Sequence, residues 1–236
     1  MGDKVEGRGG PSRLRIWSEV AATVVVYQQL LVVFIAVPPF LLPALGYHLN
    51  LRQGTAVTLG GTLVAELIAL GLLLSWLRRE GRSLADLGWR RPTTWPALVL
   101  GVAFGLLYAA TTLAHPDIGR YFGEVGPFQL WGAAVGVAGA VIEEIIFRGF
   151  VLSELGRIDV RPAAKVIVSG LTFGLVHLGF GLWGIAFTTA MGMVLAIAYL
   201  IGRRSLTPPV IGHGLANLII EPWLLLYTIY ARMFSR

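Results

Sequence analysis

The stretch Val141-Ile142-Glu143-Glu144-Ile145-Ile146-Phe147-Arg148-Gly149-Phe150 is apolar enough to lie within a membrane except at three positions, two adjacent carboxylates and an arginine. A carboxylate in hydrocarbon costs on the order of 2.5 to 3.5 kcal/mol by insertion scales, so two side by side need partners and a reason. On a helix the two glutamates are about 100 degrees apart, and Glu144 lies one turn from Arg148 on the same face. One carboxylate is thus placed to be neutralised by Arg148 while Glu143 points elsewhere, free to act as a base in a desolvated setting. The competing reading makes both glutamates structural, paired with Arg148 and a loop cation near an interface.

The surrounding chain sets the class. Of 236 residues, 56% are hydrophobic and 14% charged, and the mean hydropathy is +0.72. With about 20 apolar residues needed for a spanning helix, the sequence predicts an all-α polytopic membrane bundle of about seven spans and no separate soluble domain. The expected spans are Val20 to Val37, Thr55 to Leu77, Pro96 to Leu113, Leu130 to Leu155, Ala163 to Leu178, Trp183 to Ile201 and Val210 to Tyr230. Residues 1–19 read as a polar tail and not as a signal peptide. Residues 20–125 hold the first three spans, with a short amphipathic interfacial segment over 78–95, and residues 126–236 form the core that carries the polar motifs. Pro38, Pro39 and Pro43 predict an irregular end to the first span.

The formal net charge of +6 does not point to nucleic acid, because the basic residues fall between apolar runs, where they meet anionic lipid. In a seven-span arrangement fourteen lysines and arginines fall on the side of the N-terminus, and only Arg52, Arg120, Arg232 and Arg236 on the other. This predicts a cytoplasmic N-terminus and an outside C-terminus. With no cysteine, the chemistry rests on Glu, Asp, His, Ser or Asn.

Two further motifs follow. The fifth segment contains Phe173-Gly174-Leu175-Val176-His177, and the seventh His213-Gly214-Leu215-Ala216-Asn217, each pair one helical turn apart. His213 and Asn217 share a face, so they can present two donors to one point, or form a ligand and its orienter. Glu66 and Glu221 are two more carboxylates in apolar spans, read as structural. A proton or ion relay in a small transporter, or a polar core in a scaffold that binds a partner protein, also fits such a cluster.

In this order, Glu143-Glu144-x-x-x-Arg148, Phe173-x-x-x-His177 and His213-x-x-x-Asn217 resemble the CAAX protease and bacteriocin-processing (CPBP, or Abi) family of intramembrane endopeptidases, which includes the type II CAAX prenyl endopeptidases. The resemblance covers about Trp131 to Leu218 and implies a catalytic core in spans four to seven. It implies an enzyme of a prokaryotic plasma membrane that hydrolyses a peptide bond in the C-terminal or membrane-proximal part of a protein or peptide. By the same resemblance Glu143 activates a water that His177 helps to hold, and His213 and Asn217 stabilise the oxyanion. Glu144 and Arg148 form the supporting pair, and Phe173 packs beside His177. No cofactor is required on this reading. Zinc held by Glu143 or Glu144 with His177 and His213 is the alternative, although the short zincin motif is absent. The expected partners are membrane lipid and a substrate with a hydrophobic or lipidated tail, entering sideways through a cavity between helices. A silent scaffold or bacteriocin-immunity partner is the other function kept in view.

One expectation conflicts with a shared site. Counted from the cytoplasmic ends of the spans, Glu143 and His213 fall shallow, whereas His177 falls on the order of 20 Å deep at 1.5 Å per residue. Either the fifth helix starts late and is tilted, with a partly unwound entry after Pro162, or the seventh starts deeper than its hydropathy suggests.

Overall fold

The computed structural model describes residues 11–89, 94–114 and 126–225. Helix α1 spans Arg13–Leu31, and a π-helical stretch, Val32–Ala36, carries it into α2, Pro38–Ala44. Helix α3 covers Leu51–Arg79 and is followed by a 3-10 turn at Leu84–Leu87; α4 is Trp95–Leu113. The motif-bearing helix runs without a break from α5 (Pro127–Glu144) through a π segment (Ile145–Phe150) into α6 (Val151–Arg157). Then come α7 (Pro162–Leu175), a 3-10 turn (Leu178–Phe180), α8 (Gly181–Ile201) and α9 (Thr207–Leu225). Every described element is helical, as expected. Four helices are long and apolar enough to cross a membrane, Arg13–Ala36, Gln53–Arg79, Pro127–Arg157 and Leu178–Ile201, while the apolar helices at Trp95–Thr111 and Pro162–Leu175 are shorter. His115, Arg120 and the expected last turns of the seventh span up to Tyr230 lie outside the described residues, as does the side chain of Glu221.

The ends of these helices follow from local chemistry. The first begins at Arg13, ahead of the apolar run, because the Ser12 hydroxyl accepts the Arg15 N–H at 3.2 Å. Asn50 and Gln53 cap α3 reciprocally. Pro127 and Pro162 stand in the first turns of α5 and α7, where a missing N–H costs nothing. The expected interfacial segment is a 3-10 turn ended by Gly88 at φ 97, a conformation that favours glycine, and a Cβ there would lie 2.0 Å from the Arg204 carbonyl oxygen. Buried Glu154 receives both Arg82 and Arg157, tying this segment to α6.

The depth conflict resolves through the loops. Glu143 lies fourteen positions before Arg157 on one continuous helix, which is about 21 Å of rise. It is therefore as deep as His177, fifteen positions after Pro162 on the antiparallel partner. The seventh segment starts deep. Leu206 donates its N–H to the Gly88 carbonyl at 2.9 Å, and both Leu87 and Leu206 pack over Gly149, where a Cβ would stand 3.1 Å from Leu87 Cβ and 3.5 Å from Leu206 Cδ1. Gly149 is eight positions inward from Arg157, so α9 sets out about 12 Å up the bundle. Seven further positions bring His213 to the level of Glu143.

Small residues set how closely the helices approach. A Cβ on Gly101 would lie 2.3 Å from the Pro208 carbonyl, joining α4 to α9, and one on Gly174 would lie 1.9 Å from Thr189 Oγ1 and 2.8 Å from the Ile185 carbonyl, joining α7 to α8. Because two of these neighbours are backbone atoms, they cannot swing aside. Gly174→Val is expected to separate α7 from α8 and cost about 1 to 3 kcal/mol, read as a lower thermal midpoint of the detergent-solubilised protein; an unchanged midpoint would contradict this packing.

Candidate active site

Four segments meet around the two glutamates. Glu144 and Arg148 are both 0% exposed, and Arg148 Nη1 donates to Glu144 Oε1 at 2.8 Å. The same carboxylate oxygen lies 2.8 Å from Nδ1 of His213 on α9. Burying an ion pair is unfavourable unless further hydrogen bonds and polarisable neighbours share the charge. Here His213 supplies the second bond, and the guanidinium stacks 4.3 Å from the centroid of the Phe173 ring.

The bond to Glu144 fixes the ring of His213. Its Nδ1–H donates to the carboxylate, so Nε2 turns toward Glu143, 3.7 Å from Oε2. Among the described residues Glu143 has no arginine partner. Its Oε1 accepts the hydroxyl of Tyr27, on α1, at 2.9 Å, and its side chain keeps 12% exposure, against 0% for Glu144. The one-turn rule therefore separated the two glutamates as the sequence predicted.

His177 follows the end of α7, its backbone N–H bonded to the Gly174 carbonyl. Its Nδ1 lies 2.8 Å from the Phe173 carbonyl oxygen, so Nδ1–H donates there and Nε2 is left with its lone pair. Phe173, 1% exposed, connects the constellation: its centroid is 4.7 Å from His177, 5.7 Å from His213 and 5.4 Å from Phe147. The π segment after Glu144 adds a residue to the turn that holds Phe147 and Arg148 under this ring.

Asn217 follows His213 by one turn on α9. Its Nδ2 donates to the Gly136 carbonyl at 3.0 Å, about 10 Å along α5 from Glu143. It ties α9 to α5 and keeps one amide hydrogen for another acceptor.

The zinc set that stood as the alternative is not assembled. Among the described residues no group of three or more His, Asp or Glu side chains is arranged to hold a metal ion.

Sequence reading missed Tyr27. A tyrosine in an apolar first span carries no motif, and only the fold places it against a residue 116 positions away. Glu66 also joins the cluster: its Oε1 is 3.5 Å from the Tyr27 hydroxyl, and it is 3% exposed.

Fold and site together define a helical membrane protein with a buried carboxylate, arginine and histidine cluster. Comparison with known families gives the cluster a context. Residues 126–219 match the family model described as Rce1-like, type II CAAX prenyl endopeptidase Rce1-like. The match runs from the residue before α5 into α9, takes in all three motifs, and bears out the resemblance they carry to a family of proteases. No curated protein and no solved structure matches the chain.

Proposed function

We propose that this protein is an intramembrane endopeptidase in which Glu143 activates water against a peptide bond near an apolar or lipidated tail. The supporting observation is the division of labour between neighbouring carboxylates: Glu144 is buried against Arg148 and His213, while Glu143 faces the His213 ring with no arginine of its own among the described residues. Glu143 takes a proton from water as the oxygen attacks the scissile carbonyl carbon, and His177 Nε2 accepts the second water hydrogen. The electron pair of the carbonyl moves onto its oxygen, where protonated His213 Nε2 and the spare amide hydrogen of Asn217 are the donors proposed to receive it. Collapse of this intermediate breaks the C–N bond as the proton held by Glu143 passes to the leaving nitrogen, giving an amine and a carboxylic acid whose remaining proton leaves through His177 Nε2 to water, so that a carboxylate results.

A groove supplies the route for the tail. A cavity of about 270 Å³ lies between α1 and α3 against the π segment, lined by apolar Ala22, Val26, Leu72, Leu73, Trp76 and Phe150. Glu19 stands at one end and Tyr27 at the other, a distance of about 12 Å along α1. Tyr27 is bonded to Glu143, so an apolar chain in this groove ends beside the proposed base. The test is cleavage of quenched fluorescent peptides with apolar or prenylated tails by the purified protein in liposomes, with and without a zinc chelator. Turnover that needs the tail supports the reading, and its absence across the tail series would contradict it. Ala22→Trp, which fills the groove from an outward-facing position, is expected to raise KM for long-tailed peptides about tenfold and to leave short-tailed ones nearly unchanged.

A further inference from the structure

We propose that Tyr27 is a positioning residue for Glu143, an inference that rests on the reading of Glu143 as the base. The two oxygens of Glu143 have different surroundings. Oε1 accepts the Tyr27 hydroxyl at 2.9 Å, and Oε2 is the oxygen that faces His213 Nε2 at 3.7 Å. Among the described residues Tyr27 is the hydrogen-bond donor on this carboxylate. With one oxygen pinned, rotation about the last side-chain torsion is restricted, and Oε2 is presented to His213 Nε2. A base held in its productive orientation loses less freedom on reaching the transition state.

The phenol is itself held from three sides. Tyr27 is 2% exposed, and its ring meets Phe147 edge to face at 5.4 Å and 76°, so the side chain belongs to the packed layer beneath the site. On the far side of the hydroxyl stands Glu66 of α3, with Oε1 at 3.5 Å. Glu66 reaches this point across Gly139, where a Cβ would come within 2.7 Å of Oε1. Gly139 lies one turn before Glu143 on α5, so its missing side chain opens the space under the base that Glu66 and Tyr27 occupy. Three helices outside and inside the motif region, α1, α3 and α5, thereby fix one carboxylate. Tyr27 carries no motif, and its part in the reaction follows from contact alone.

The experiment compares wild type, Tyr27→Phe, Glu66→Leu and Glu143→Gln on two peptides with the same scissile segment and different apolar tail lengths. Tyr27→Phe keeps the ring on Phe147 and removes only the hydroxyl. It is expected to lower kcat about tenfold with KM unchanged, by the same factor on both peptides, and with an unaltered thermal midpoint. Glu66→Leu lowers kcat in the same sense by about threefold. Wild-type kcat in both variants would overturn the proposal, as would a loss confined to KM or growing with tail length, which is the behaviour of a groove wall. Full activity in Tyr27→Phe beside an inactive Glu143→Gln sinks this inference alone, whereas full activity in Glu143→Gln sinks the function reading and the inference together.

Discussion

Glu143→Gln is expected to lower kcat by about 10³-fold, the upper part of the range for removing a general base, while the protein folds and melts as wild type does. The amide is isosteric with the carboxylate, and its carbonyl oxygen still accepts the Tyr27 hydroxyl that now reaches Oε1 at 2.9 Å. What disappears is the ability to take a proton from water. No arginine is left without a partner, because Arg148 bonds Glu144. The check is steady-state cleavage of a tailed peptide beside a thermal melt of each protein. A variant that melts normally and retains more than about a tenth of wild-type kcat would remove Glu143 from the chemistry.

Arg148→Leu is expected to act through stability. It strands Glu144, 0% exposed, with a single remaining partner in His213, and removing one member of a buried ion pair costs about 3 to 5 kcal/mol. In a chain of this size that is a fall in thermal midpoint on the order of 10 °C. Arg148→Lys is expected to recover little of it, since a lysine has no planar face to lie over Phe173, where the guanidinium sits 4.3 Å from the ring centroid. The double variant Glu144→Gln with Arg148→Leu removes both charges and is expected to melt above Arg148→Leu alone. Thermal unfolding in detergent of all four proteins checks the series, and equal midpoints for the single and double variants would show that charge is not what the pair contributes.

Much of this architecture can be read from spacing. Hydropathy placed the apolar segments, and the one-turn interval from Glu144 to Arg148 predicted which glutamate would be paired. Where the segments sit relative to one another could not be read in the same way. Hydropathy measures depth from the ends of apolar runs, and α9 does not start at such an end: the Leu206 N–H is bonded to the Gly88 carbonyl, and Leu206 packs over Gly149. That nesting depends on two loops, one before α4 and one before α9, meeting over a glycine, a tertiary event that no local pattern records. Asn217 shows the same limit. Its one-turn spacing from His213 holds, and the acceptor its amide meets, the Gly136 carbonyl on α5, could not be read from that spacing. Tyr27 was hidden because a hydroxyl in an apolar helix acquires meaning only from the group it faces.

Glu143, with His177 and His213 brought to one depth by α5, α7 and α9, is proposed to direct the addition of water to a peptide bond. Cleavage of a tailed peptide in oxygen-18-labelled water by wild type and Glu143→Gln tests it most directly. One labelled oxygen is expected in the new C-terminal carboxylate of the wild-type product, and no product above background from the variant. Equal labelled product from both proteins would contradict it.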